Sequence, residues 1–272
     1  MRWRRPAVFV GILCLLCLLY SLTEPYLIRV NEVDVVDGDI PEGFDGKTVV
    51  FAADIHCGPL FSVGRVRDVV SKINSIRPDI ILLGGDYIYS DVKNIKPCVG
   101  ELKNLKAPLG VYGVLGNHEH WADARLSGQA LEEAGVKLLD NRAEWVGSAG
   151  GRIRVGGVGD LWTDYQNIAP TVEDAAAGDF VILLSHNPDY AWETTTDKID
   201  LMLSGHTHGG QVTLFGLWAP AKNTAHGGNY VSGMADIKGA KVFVTNGVGT
   251  TGLPLRFFAR PEIVEITLLR KL

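Results

Sequence analysis

Cysteine is scarce. The chain holds four in 272 residues, and they form neither a Cys-based metal set nor a disulfide framework. Cys14 and Cys17 fall in an apolar segment. Cys57 and Cys98 are far apart, so Cys57 reads as packing, a bond between the two stays open, and the redox compartment is undecided. Basic runs are missing too, apart from the extreme N-terminus. The formal net charge is −5, and leaving out Arg2, Arg4 and Arg5 takes it to −8. That balance argues against general nucleic-acid binding, and no nucleic-acid partner is expected. The sequence also shows no repeat, no low-complexity tract and no linker long enough to divide a domain.

Apolar residues are plentiful at 46%, and glycine is abundant at 32 residues. The first can build a full core for one large domain or two small ones. The second suits a protein with many tight loops.

Arg2-Trp3-Arg4-Arg5 precedes an uncharged stretch, residues 6–22. Its length is at the short end for a membrane-crossing helix. A cleaved signal peptide needs small residues before the cut, and Leu19-Tyr20-Ser21 is a weak candidate. A buried core helix would show a polar face, and none is visible. An uncleaved anchor over residues 1–24 fits best: a basic flank, an apolar span, then Thr23-Glu24-Pro25-Tyr26 at the far interface. The arginines then put the N-terminus in the cytoplasm and the main domain, residues 25–272, across the membrane on a single-pass anchor. A shallow insertion that keeps the domain cytoplasmic is the competing topology.

Residues 30–36 read as an edge strand. Residues 48–53 read as a buried strand ending in Asp54-Ile55-His56, where Asp54 and His56 project to one side and Ile55 to the other. Val66, Val69, Val70, Ile73 and Ile76 recur at helical spacing. Residues 80–83 form the next buried strand, ending in Gly84-Gly85-Asp86, and strand, helix and strand make a βαβ unit. A second helix is expected before Pro108. A strand over 111–115 ends in Gly116-Asn117-His118-Glu119-His120, and a helix follows over 123–134. Short strands are expected at 136–139, 144–146 and 153–158. A buried strand over 180–184 ends in Ser185-His186, and Leu201-Met202-Leu203 leads to Gly205-His206-Thr207-His208-Gly209-Gly210-Gln211. Later strands are expected at 242–245 and 263–268.

Five apolar strands therefore end in ligand-type residues: Asp54 and His56, Asp86, Asn117 and His118, His186, and His206 and His208. Any one alone is a cap, a turn or a gap-filler. Five together point to one site at the carboxyl ends of the strands, where open α/β sheets bind ligands. Mixed nitrogen and oxygen donors suit Zn, Mn or Fe and not Ca or a thiolate cluster. They are too many for one ion; two ions sharing a carboxylate would use them all, a device of phosphoryl chemistry.

In order, Asp54-Ile55-His56, Gly85-Asp86, Gly116-Asn117-His118-Glu119, His186 and Gly205-His206-Thr207-His208 resemble the pattern of the calcineurin-like metallophosphoesterase superfamily. Glu24-Pro25, Pro108-Leu109-Gly110-Val111-Tyr112, Ser185-His186-Asn187-Pro188-Asp189, Gly209-Gly210-Gln211-Val212 and Gly252-Leu253-Pro254-Leu255-Arg256 are similar to the YkuE/YaeI type of membrane-anchored phosphodiesterase. The resemblance implies an α/β fold of the four-layer α+β type: two packed mixed β-sheets flanked by helices, plus the anchor helix. It implies two divalent or trivalent ions (Mn, Fe or Zn). Asp54, His56 and His208 would hold one, Asn117, His186 and His206 the other, and Asp86 both. It implies hydrolysis of a phosphodiester or pyrophosphate by a hydroxide held between the ions, with His118 protonating the leaving oxygen or stabilising its charge. A lipid-linked substrate such as UDP-2,3-diacylglucosamine is among those implied, although that one is cytoplasmic and conflicts with the topology above. Glu119 stands where many relatives have aspartate; if it orients His118, the geometry there changes.

Lesser candidates are His120 at the substrate or the surface, and His226 near the mouth of the site. Arg256 is expected either on a non-reacting phosphate or in a structural ion pair. Trp121, Trp162 and Trp218 are candidates to line an apolar cleft, or to be partly buried packing. A Ser/Thr phosphatase would carry an arginine shortly after Gly85-Asp86, where Tyr87-Ile88-Tyr89 stands. A repair nuclease would need a basic face. The alternative outside enzymes is a non-catalytic membrane- or wall-attached binding protein on the same fold, which the unbroken ligand set disfavours.

Overall fold

The computed structural model describes residues 4–194, 196–226 and 231–271. Arg2 and Trp3 of the basic flank, and Gly227 and Gly228 beside His226, lie outside the described residues. The chain opens with helix α1 (Arg4–Thr23), apolar on every side, which is long and apolar enough to cross a membrane. Strand β1 (Arg29–Asp37) follows, then β2 (Thr48–Ala52), helix α2 (Val63–Ile76) and β3 (Ile80–Leu83). Next come α3 (Val92–Val99), β4 (Val111–Gly113), α4 (Asn117–Ala122), α5 (Ala124–Glu133) and β5 (Lys137–Leu138). The second half holds β6 (Arg142–Ser148), β7 (Gly151–Gly157), α6 (Ala169–Val172), β8 (Val181–Leu184), α7 (Tyr190–Glu193) and β9 (Leu201–Ser204). Strands β10 (Gly233–Ile237), β11 (Ala240–Val244) and β12 (Glu262–Arg270) close the chain.

The strands form two six-stranded sheets, ordered β1-β12-β2-β3-β4-β5 and β10-β11-β9-β8-β7-β6. Both are mixed. In the first, β2, β3, β4 and β5 run parallel and β12 is antiparallel to β2. In the second, β7, β8, β9 and β11 run parallel, and β6 and β10 pair antiparallel at the edges. Val49, Phe51, Ile80 and Leu82 of one sheet pack against Ile153, Val155, Ile182 and Leu203 of the other. Each such buried side chain stabilises the stack by roughly 1.5–3 kcal/mol. The outer face of the first sheet is covered by α2, α3 and α5, that of the second by α6 and α7. These are the four layers expected, with β1 at the edge as expected.

Local signals explain the helices on the first sheet. Ser62 caps α2 by accepting the Arg65 amide, and Arg77 ends it in the left-handed region before Pro78. Val66, Val69, Val70 and Ile73 are its buried stripe. Asp123 caps α5 by accepting the Leu126 amide at 2.8 Å. One expectation is corrected here. Cys57 is not plain packing: it forms a disulfide with Cys98, joining the loop after β2 to α3.

Helix α1 is attached at its C-terminal end. Arg256 N–H donates to Ser21 O at 3.0 Å, Phe258 N–H to Glu24 Oε2 at 2.8 Å, and Arg65 Nη2 to Pro25 O at 2.6 Å.

Candidate metal centre

The parallel strands β2, β3 and β4 of one sheet and β8 and β9 of the other point their carboxyl ends to one rim. Asp54 and His56 follow β2, Asp86 follows β3, and Asn117 opens α4 just after β4. His186 follows β8, and His206 and His208 follow β9. All seven are buried. Asp54, His56, Asp86, His206 and His208 adopt positive φ between 49° and 70°. Non-glycine residues avoid that region at a cost of about 1–2 kcal/mol each, and such strain persists only where surroundings enforce it. Here the enforcement is visible. The Asp54 amide donates to Gly85 O and the His56 amide to Asp86 O, each at 2.9 Å. The Asp54 carboxylate crosses to the other sheet and accepts the His206 amide at 2.9 Å.

The donor atoms fall into two groups around Asp86. His56 Nε2 lies 3.0 Å from His208 Nε2, and His208 Nε2 lies 3.7 Å from Asp54 Oδ1. On the other side, His186 Nε2 is 3.2 Å from both Asn117 Oδ1 and His206 Nδ1. Asp86 Oδ2 stands between them, 3.4 Å from His56 Nε2 and 3.3 Å from His186 Nε2. Donors about 2.1 Å from one ion are separated by roughly 3.0–3.4 Å at octahedral to tetrahedral angles, so the spacing fits two coordination spheres sharing one oxygen. His186 Nδ1 lies 2.7 Å from Gly84 O; a carbonyl only accepts, so Nδ1 carries the proton and Nε2 faces the donor cluster. The glycines of the motifs leave room for the carboxylates. A Cβ on Gly116 would lie 2.3 Å from Asp86 Oδ1, and one on Gly205 would lie 2.4 Å from Asp54 Oδ2.

Burial and mutual charge shift the titration of the whole cluster. Burial lowers His56 and His206 to about 3 and holds His208 well below the ordinary value, so these imidazoles are neutral, with a lone pair free for a cation. Burial also opposes charge on His186 and Asp86, but their mutual attraction outweighs it. His186 is held well above, and Asp86 well below, the ordinary values. Burial, opposed by His186 and reinforced by Asp86, raises Asp54 to about 7.

His118 lines the cleft over this cluster, with Nε2 4.0 Å from Asp86 Oδ2 and Nδ1 2.6 Å from Ser90 Oγ. Glu119 does not orient it. The Glu119 carboxylate accepts the amides of Asp86, Gly116 and Ile88 at 2.9, 2.9 and 3.1 Å, stapling three loops under the site. The cleft, about 660 Å³, is walled by Tyr89, Trp121, Trp162, Gln211, Asn223 and Leu253 among others. Trp218 is not in its wall. His120 is also outside it, with Nε2 4.0 Å from Asp164 Oδ2, and His226 lies against Trp192 with ring centres 4.9 Å apart.

Arg256 cannot hold a phosphate. Its side chain is fully buried and donates to the carbonyls of His208, Asn246, Gly247, Gly249 and Ala259. Ser90, Asp189 and Gln211 were not singled out in the sequence. Asp189 accepts the hydroxyl of Thr224 and the amide of Ala225, tying down the loop that carries Asn223. Gln211 bonds both backbone groups of Thr251 at 2.9 Å, joining two rims of the cleft. Only the Gly-Gly-Gln and His-Asn-Pro-Asp motifs hinted at the last two.

The calcineurin-like phosphoesterase profile matches residues 47–210, the stretch that contains every one of these donors. The chain belongs to the calcineurin-like phosphoesterase family. It is 34% identical over 252 residues to the uncharacterized metallophosphoesterase YkuE of Bacillus subtilis, covering 90% of this chain and 87% of that one. It is 31% identical over 228 residues to phosphodiesterase YaeI of Escherichia coli, covering 81% and 82%. A zebrafish transmembrane protein with a metallophosphoesterase domain is 30% identical over 261 residues, covering 88% of this chain and 57% of its own. Among solved structures, the NAD nucleotidase NadN of Haemophilus influenzae shares the fold, with TM-score 0.50 and 17% identity over 74% of this chain and 50% of that one. The phosphoesterase is thus a metal-dependent hydrolase of a family that uses a dimetal centre, and its buried N/O donor groups are the candidates to hold it.

Proposed function

We propose that this phosphoesterase hydrolyses phosphodiester or pyrophosphate bonds of a lipid-linked substrate, at a membrane to which residues 1–24 anchor the catalytic domain 25–272. Asp54, His56 and His208 would hold one ion and Asn117, His186 and His206 the other, with Asp86 shared. The observation that carries this is the position of Asp86 Oδ2, 3.4 Å from one group and 3.3 Å from the other. When bound, the ions would supply Lewis acidity toward the phosphoryl group and an acidified water. Donor chemistry favours Mn, Fe or Zn.

His118 is the candidate catalytic side chain. With the Ser90 hydroxyl donating to Nδ1, the Nε2 proton faces the cleft and can be offered to the leaving oxygen. Trp121 and Trp162 give the cleft the apolar wall that a lipid-linked substrate calls for. The Cys57–Cys98 disulfide supports an extracytoplasmic domain, because such bonds persist in oxidising compartments. That side favours an exported phospholipid or lipid carrier over cytoplasmic UDP-2,3-diacylglucosamine.

Hydrolysis of bis-p-nitrophenyl phosphate after Mn loading tests the reading. Activity that Asp86→Ala abolishes is expected. An inert, fully metal-loaded protein would favour the binding-protein alternative.

A further inference from the structure

The segment that follows Gln211 is apolar and uncovered. Residues 212–219 carry no charge. Leu214, Phe215, Leu217 and Trp218 are 57%, 65%, 90% and 57% exposed. The segment is nevertheless built: Leu214 N–H donates to Trp218 O at 2.7 Å and Thr213 N–H to Phe257 O at 2.8 Å. Its outer side chain, Phe215, packs on Phe258 with ring centres 5.0 Å apart, and Phe258 lies 5.5 Å from the Tyr20 ring of α1. Phe215, Phe257 and Phe258 share an apolar groove of about 400 Å³ with Leu13, Leu16, Cys17 and Tyr20.

That neighbourhood fixes a depth. Leu13 and Leu16 lie inside the apolar span Val8–Tyr26, and Leu13 is roughly 10 Å along the helix from Tyr20. A side chain beside Leu13 and Leu16 shares their level, so wherever α1 enters a bilayer, Phe215 enters with it. The loop also adjoins the cleft, because Gly210 and Gln211 line the cleft and lead directly into it. Lys222 shares a small pocket with Leu217 and Trp218, and exposed Arg260 follows Phe258 by two residues, so basic side chains that could meet headgroup phosphates are close to the patch.

We propose that residues 212–219, with Phe257 and Phe258, form a second membrane contact. It inserts at the boundary between headgroups and acyl chains of a phospholipid bilayer and holds the mouth of the cleft against the lipid surface. The proposal rests on the reading of α1 as an anchor, and it deepens the proposed function by stating how a lipid phosphoester reaches the site: laterally, past Gln211 and Leu253, without leaving the interface.

The test uses the full chain in vesicles of phosphatidylethanolamine and phosphatidylglycerol. A Leu217→Cys variant, in a background with Cys14→Ala and Cys17→Ala, carries an environment-sensitive nitrobenzoxadiazole label. Brominated acyl chains are expected to quench it, and not the same label on Glu173→Cys. Equal quenching at both sites, or a blue shift that follows protein concentration without quenching, as in a dimer formed through the loop, would overturn the proposal. A second arm uses Leu217→Glu. It should lower hydrolysis of a bilayer-embedded phosphodiester by about tenfold or more and leave bis-p-nitrophenyl phosphate turnover unchanged, whereas Leu217→Trp should retain both. Unchanged lipid hydrolysis in Leu217→Glu overturns it too. Absent bis-p-nitrophenyl phosphate turnover in the unmutated chain would sink the phosphoesterase reading instead and leave the quenching result standing.

Discussion

Ser90 Oγ and His118 Nδ1 are 2.6 Å apart, across a loop that the disulfide-bonded Cys57 braces through its backbone pairing with Ile88 and Tyr89. The contact engages Nδ1 and leaves Nε2 toward the cleft; if the hydroxyl donates, Nε2 carries the proton. Ser90→Ala is expected to lower kcat by about tenfold on an alkyl diester, the worth of one net hydrogen bond. On bis-p-nitrophenyl phosphate, whose leaving group needs little proton assistance, the loss should be small. His118→Ala should show the same leaving-group dependence more strongly. A Brønsted series on the two variants measures this; equal losses on both substrates would remove His118 from leaving-group protonation.

Gly205 makes room for a ligand. Its substitution by Ala puts a methyl 2.4 Å from Asp54 Oδ2, while its own backbone is free of positive-φ strain. Metal affinity should fall by about 10–100-fold, as for other changes that displace a ligand indirectly. The thermal stabilisation conferred by added Mn should shrink accordingly. Gly147→Ala, which meets no atom within 4 Å, is the neutral control. Metal analysis and melting curves decide it.

Arg256 is expected to act on stability and on the placement of the candidate ligand His208, and not on substrate phosphate. Arg256→Met removes the donor from five buried carbonyl groups and should destabilise the fold by about 1–3 kcal/mol for each carbonyl left unpaired. KM of the surviving folded enzyme should not move. A raised KM with unchanged melting temperature would restore the phosphate-binding role.

Asp140 gives the fold a pH dependence. Its half-buried carboxyl accepts the Leu115 amide at 3.1 Å, and desolvation raises its pKa from 3.8 to about 7. Between those values the folded state binds the additional proton, so this group's contribution to stability falls as pH rises from about 4 to 7 and is level above. The whole change is worth about 4 kcal/mol at most. Asp140→Asn should match the unmutated chain near the lower limit and exceed it increasingly toward neutral pH. Urea unfolding across the range checks the slope.

The candidate ligands were legible because their signal is local: an apolar run followed at once by a donor, five times over. The α2 stripe was legible for the same reason. What escaped depends on contacts between distant segments. Ser90 and His118 are 28 residues apart, Asp189 and Thr224 35, and Cys57 and Cys98 41. No window along the chain shows that Glu119 reaches three backbone amides instead of His118, since only the meeting of the three loops creates them. Arg256 misled for a related reason. Its motif announces a charge near the site, and only the packing shows the carbonyls that surround it.

Four of the seven candidate donors come from residues 54–117 and three from residues 186–208, on different sheets. An unfinished chain therefore owns no cage, and a cation can be captured only after the two halves have closed on each other. Affinity for this kind of N/O site rises along the first-row metals without regard to need. The ion the protein ends up carrying is then decided by which one is on hand where folding is completed, so the route of the polypeptide becomes part of its cofactor chemistry.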